Sequence, residues 1–187
     1  MFFIISQIVV VISDILCAIG LLSKPKKMFL IFMILSSITY AAHFLFLGDG
    51  YSGAISVIVS MFVSIAIYYL EKYNKDKYKK WVVIGSLILM IPLTALVWNG
   101  VLTLLPVLGL ACFLTGITLN NVTFSKVGSF INNSLSVTYL FLVGSTFGAW
   151  LGVGLVICAF AGIFISIYEQ KKNKAINGSV NEFEKRI

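Results

Sequence analysis

Seven stretches of this chain are each long and apolar enough to cross a bilayer, which leaves few alternatives to an integral membrane protein. A helix needs roughly 20 apolar residues to span a hydrocarbon core about 30 Å thick. The runs Phe2 to Leu22, Met28 to Leu47, Ser52 to Leu70, Trp81 to Trp98, Val101 to Leu119, Phe124 to Leu142 and Gly148 to Tyr168 approach that length. A hydrophobic share of 59% against 11% charged residues agrees.

The charges between the runs alternate. Lys24, Lys26 and Lys27 follow the first, Asp49 alone follows the second, and Lys72, Lys75, Lys77, Lys79 and Lys80 follow the third. The Asn99-Gly100 turn is uncharged, then comes Lys126, then the uncharged turn from Val143 to Phe147, and finally a tail with Lys171, Lys172, Lys174, Lys185 and Arg186. All fourteen Lys and Arg residues thus fall on one side of a seven-span topology. The positive-inside bias makes that side cytoplasmic, with the N-terminus outside and the C-terminus inside. The net charge of +7 is therefore a topology signal and an attraction for anionic headgroups, not a nucleic-acid surface. The start at Met1 lacks the basic n-region and the cleavage site of a signal peptide, so the first run is expected to be retained. Cys17, Cys112 and Cys158 lie within runs and read as packing residues without metal spacing; no cofactor is expected.

An offset of 95 aligns the stretch from Phe44 to Ala54 with that from Tyr139 to Ala149, with five of eleven positions identical. The same offset places Cys17 on Cys112 and superposes runs one to three on runs five to seven without a gap. The chain then divides into a first three-helix repeat (1–70), a basic loop and linking helix (71–98), a second three-helix repeat (99–168) and a polar tail (169–187). An odd linking helix returns the chain across the bilayer, so the two repeats are parallel and related by an axis along the membrane normal. Such folds place a substrate path between the halves near the midplane. Short turns at Gly48 to Tyr51 and Val143 to Phe147 predict tight hairpins. The expected fold is all-α, seven transmembrane helices arranged three, one and three.

The run His43-Phe44-Leu45-Phe46-Leu47-Gly48 with Gly53-Ala54, and the run Leu104-Leu105-Pro106-Val107-Leu108-Gly109, resemble hallmark stretches of the YgjV-type bacterial inner-membrane proteins, over about Gln7 to Tyr168. The plan of three, one and three helices is similar to that of the SWEET sugar exporters and the PnuC vitamin-precursor transporters. What the first resemblance implies is a membrane protein, without a defined role. The chain departs from that family at Val59 and Phe62, where an Asn and an Arg are usual, and it lacks the Pro-Gln dipeptide of SWEET relatives.

Polar residues inside the runs are the site candidates. Asp14, near the midplane, is an acid whose insertion costs on the order of 2.5 to 3.5 kcal/mol. It is either a coupling or substrate-contacting carboxylate, or a buried structural acid. Asn132 and Asn133 stand at the centre of run six, with Ser129 and Ser136 at helical spacing. Ser36, Tyr40 and His43 share a face of run two; for His43 an interface or structural role outranks a protonation switch. The stripes Ser52, Ser56, Ser60, Ser64 and Gly154, Cys158, Gly162, Ser166 suit close helix packing, with lining of a pathway as the alternative. The path candidates are Asp14, Ser36, Tyr40, His43, Ser60, Asn132, Asn133 and Ser136. Trp81, Trp98 and Trp150 are placed as interfacial anchors. The tail from Lys171 onward reads as a disordered or frayed segment.

These features favour a small-solute transporter or facilitator. The alternative is a non-transporting accessory, immunity or assembly partner. Absence of HExxH, GxSxG and clustered acids and histidines argues against an enzyme. Expected partners are the lipid bilayer, a small solute and a second copy of the chain, and no nucleic acid.

Overall fold

A computed structural model of the chain describes residues 2–47, 51–96, 98, 100–142 and 146–184. The described residues form seven α-helices: α1 (Phe2–Leu22), α2 (Lys26–Leu47), α3 (Tyr51–Lys72), α4 (Lys79–Leu96), α5 (Leu104–Thr118), α6 (Val122–Leu142) and α7 (Thr146–Glu184). Short 3₁₀ turns, Asp76–Tyr78 and Val101–Thr103, lead into α4 and α5. The expected tight turns at residues 48–50 and 143–145 lie outside the described residues, as does Asn99.

Helix ends follow local chemistry. Asn74, at φ 55, stops α3 in the left-handed region. Around it the Lys75 N–H donates to the Leu70 carbonyl at 2.8 Å and the Asn74 N–H to the Glu71 carbonyl at 3.2 Å, a Schellman pair that satisfies the last carbonyls. Pro106 stands in the first turn of α5, where a missing N–H breaks no bond. Pro92 lies inside α4.

Polarity is arranged inside out. On α1, Ile4, Ile8, Ile15 and Ile19 form an exposed stripe, while Ser6, Ser13, Asp14 and Cys17 are buried. On α7, Trp150, Ile157, Phe160, Phe164 and Tyr168 are exposed in the same way. Exposed apolar faces of this kind suit the acyl chains of a bilayer. Among the described residues five stretches are long and apolar enough to cross a membrane: Ile4–Leu22, Ile55–Lys72, Asp76–Leu96, Val101–Thr118 and Phe147–Asn173. In α6, Lys126 and the adjacent Asn132 and Asn133 dilute the apolar character. The protein is a polytopic membrane protein. Trp81, Trp98 and Trp150 are all more than half exposed near helix ends, as anchors at a headgroup boundary are.

Neighbours run in a ring: α1 on α2, α2 on α3, α3 on α5, α5 on α6, α6 on α7 and α7 back on α1, with α4 against α3 and α5. Glycines set the closest approaches. A Cβ at Gly116 would meet the Phe124 carbonyl at 2.7 Å, and one at Gly128 the Cys112 carbonyl at 2.7 Å, so α5 and α6 touch backbone to backbone. A Cβ at Gly162 would collide with the Leu21 carbonyl, which fixes α7 on α1.

Two expectations are corrected. The polar tail is helical, not frayed: α7 continues to Glu184, because no proline interrupts it and the transmembrane part supplies the nucleus from which a polar extension propagates. The small-residue stripes are not uniform packing seams. Ser64, Gly162 and Ser166 are buried at helix contacts, Ser56 and Ser60 line a cavity, Gly154 has nothing within 4 Å of a Cβ, and the Ser52 side chain lies outside the description.

Candidate functional site

The ring encloses a cavity of about 460 Å³, within the range of small-molecule sites. Its wall takes Val10, Asp14 and Cys17 from α1, Ser36, Ser37, Tyr40 and His43 from α2, and Ser56 and Ser60 from α3. Pro106 and Leu110 of α5, Ser129, Asn132, Asn133, Ser136 and Tyr139 of α6, and Leu151 and Leu155 of α7 complete most of it. All eight residues singled out from the sequence, Asp14, Ser36, Tyr40, His43, Ser60, Asn132, Asn133 and Ser136, lie on this one surface. The linking helix contributes as well: Met90, Leu93 and Thr94 of α4 close the gap between α3 and α5. A second, apolar hollow of about 290 Å³ between α4 and α5 shares Met90, Thr94, Val107 and Leu110 with the first.

Asp14 is buried near the middle of α1, and the Tyr40 hydroxyl donates to its Oδ1. One turn earlier on α2, Ser36 Oγ donates to the Ser13 carbonyl at 3.0 Å. Both bonds pin α2 to α1 at the depth of the carboxylate. His43 Nδ1 lies 2.9 Å from the Ser6 carbonyl and 2.7 Å from Ser6 Oγ. Ser6 thus holds the imidazole at this end of the α1–α2 contact, donating from its hydroxyl or accepting at its carbonyl according to the tautomer.

Across the cavity, Asn132 is packed on Gly109, where a Cβ would stand 2.8 Å from Asn132 Oδ1. Glycine there lets the amide lie flat against α5. Asn133 Nδ2 and Thr94 Oγ1 are buried and have no hydrogen-bond partner within the protein. A buried polar atom left unsatisfied costs about 1–3 kcal/mol, so two on one cavity wall are groups that a polar occupant would satisfy.

At the end where the lysines lie, the cavity is shut. On each helix the residues past the wall are buried: Leu21 on α1, Phe29 and Leu30 on α2, Val63 and Ile67 on α3, Val83 on α4, Leu114 and Ile117 on α5, Ser125 and Lys126 on α6, and Ala159 on α7. Beyond this layer is a polar lattice. Glu71 accepts from Lys26 and, at 2.7 Å, from Lys79. Lys79 also reaches Asp76 at 2.9 Å and Asn120 Oδ1 at 2.6 Å, and Asn120 Nδ2 donates to Asp76 at 2.9 Å. Lys26 further donates to the Ile117 carbonyl at 2.8 Å and to the Leu119 carbonyl, the favourable place for a cation at a helix C-terminus. The lattice joins α2, α3, α4 and the α5–α6 link. Its charges perturb one another: Lys79 holds the Asp76 carboxyl below its ordinary value, and burial pulls the Lys26 ammonium down against the opposing pull of Glu71.

The lysines are thus not all dispersed loop charges. Lys79 is 3% exposed, and Lys126 is fully buried inside α6, its ammonium 3.1 Å from the Gly162 carbonyl and without an ion-pair partner among the described residues.

The family model described as Imp-YgjV, bacterial inner membrane protein, matches residues 4–172. The chain belongs to that family. No curated protein and no solved structure matches it. The family assignment makes this Imp-YgjV chain a multi-pass inner-membrane protein, as its apolar helices require. In the Imp-YgjV sequence the polar residues at span centres mark the cavity's α1, α2 and α6 walls. Thr94, a lone hydroxyl two residues after Pro92, and the lattice, with Glu71 and Asp76 set among five lysines, carry weaker signals and emerge only in the packed structure.

Proposed function

We propose that this protein is a small-solute transporter or facilitator of the bacterial inner membrane, with its path between α1–α3 and α5–α7. The observation that carries the reading is the cavity at mid-helix depth, polar at Asp14, Tyr40, Asn132 and Asn133 and closed toward the lysine end by the buried layer and the ion-pair lattice. A pocket closed toward one side of the membrane is what alternating access requires of one of its two states.

In this reading the protein has seven spans, the lysine end faces the cytoplasm, and the closed layer is the inner gate. The helices form two parallel triplets joined by α4. The neighbour order supports that duplication, since adding one triplet step turns α1–α2–α3–α5 into α5–α6–α7–α1 and the ring maps onto itself. The chain is not an enzyme in this reading, and uphill movement would be coupled to an ion, with Asp14 the group to carry it.

The test is uptake of a metabolite mixture by proteoliposomes holding the full chain, with the lumen analysed by mass spectrometry. Enrichment of a solute over empty liposomes supports transport. No enrichment of any solute, in either orientation and with either sign of proton gradient, would put the non-transporting partner ahead.

A further inference from the structure

Among the described residues the cavity wall carries one carboxylate, Asp14, and neither a lysine nor an arginine. Its other ionisable side chains are His43, held by Ser6, together with Tyr40, Tyr139 and Cys17. The nearest lysines by position, Lys26, Lys79 and Lys126, are engaged beyond the buried layer with Glu71, Asp76 or the Gly162 carbonyl. Meanwhile Asn133 Nδ2 and Thr94 Oγ1 stand without partners, and most of the wall is apolar.

We propose that the cavity takes organic solutes without negative charge, neutral or singly cationic, with an apolar body and hydrogen-bonding groups at its edge, and that Asp14 sets this preference. The inference rests on the transporter reading. An anion entering the cavity loses its hydration, meets no cation, and faces the one acid. A cation finds a carboxylate that its own charge stabilises. A neutral solute pays no ionic desolvation and can satisfy Asn133 and Thr94.

The test needs no known substrate. In the full-length protein with Cys17, Cys112 and Cys158 changed to alanine, Ser60→Cys places a thiol on the cavity wall. It is treated with three methanethiosulfonates of similar size: trimethylammonioethyl, hydroxyethyl and sulfonatoethyl. Each rate is divided by the same reagent's rate with 2-mercaptoethanol. The cationic and neutral reagents should react at least tenfold faster than the sulfonate, a ratio in keeping with unit charges interacting across a poorly screened cavity. Asp14→Asn should lower the cationic rate relative to the neutral one, and Asp14→Glu should preserve it, which covers the case in which the amide inserts poorly. A sulfonate rate equal to the neutral rate overturns the charge preference, and a cation preference that survives Asp14→Asn removes Asp14 as its source. If no reagent labels Ser60→Cys while Gly50→Cys is labelled, the cavity is closed to water from that side and the transporter reading falls with the inference.

Discussion

Tyr40 on α2 donates its phenolic hydrogen to Asp14 on α1, so an acid in the middle of a membrane helix has a dedicated partner 26 positions away in the chain. A lipid-facing carboxylate could not be held there; a cavity wall can hold one. If transport is coupled through this group, Asp14→Asn should leave the amount of inserted protein near normal and abolish pH-dependent uptake. Equal loss of protein and uptake, measured by immunoblot and proteoliposome flux, would show that the residue is structural.

Orientation can be read directly. Cysteines at Gly50 and Ser145 should react with an impermeant external thiol reagent in intact cells, and one at Asn74 should not. Labelling of Asn74→Cys alone would invert the topology.

The lattice should respond to Glu71 and to acid. Glu71→Gln removes the partner shared by Lys26 and Lys79, and since Glu71 is partly exposed the loss should be about 1–3 kcal/mol by thermal unfolding in detergent. Asp76 contributes with a definite sign. Its folded value is depressed below 3.8, so its stabilisation is complete above about pH 4 and disappears as the pH falls through the folded value. The difference in melting temperature between the wild type and Asp76→Asn should therefore be flat from pH 7 to about 5 and shrink below pH 4.

Glycines on two faces of α7 should behave oppositely. Gly162→Ala drives a methyl into the Leu21 backbone, which cannot rotate away, and should cost roughly 1–3 kcal/mol. Gly154→Ala meets nothing within 4 Å and should be neutral or stabilise by up to about 1 kcal/mol through helix propensity. Melting temperatures of the two variants, side by side, check the α1–α7 contact.

Lys126 offers a trade between stability and use. Its ammonium is buried with the Gly162 carbonyl as its one partner among the described residues, so Lys126→Met, similar in volume, should hold or raise the melting temperature. A drop of several degrees would mean that a carboxylate or other acceptor reaches it in the membrane.

The membrane class and the helix boundaries were legible in the sequence, because crossing a hydrocarbon layer demands a run of fixed length and turns collect the charges. Predicted and observed ends agree within a few residues except at the C-terminal end of α7: Phe2 to Leu22 for α1 is identical, Trp81 to Trp98 became Lys79–Leu96, and Gly148 to Tyr168 became Thr146–Glu184. The polar residues of the cavity were legible too, since each is costly in a lipid-facing position and so stands out in an apolar run. What those residues touch was not. Helical periodicity places a side chain on a face, but which face of which helix lies opposite is decided by backbone contacts such as Gly128 on Cys112 and Gly162 on Leu21, where the absence of a side chain sets the approach. Only the packed bundle brings Tyr40 to Asp14, turns Thr94 of the linking helix into the wall, and withdraws Lys79 and Lys126 from the charge pattern into the interior, because each of these contacts depends on distances between helices that sequence spacing does not encode.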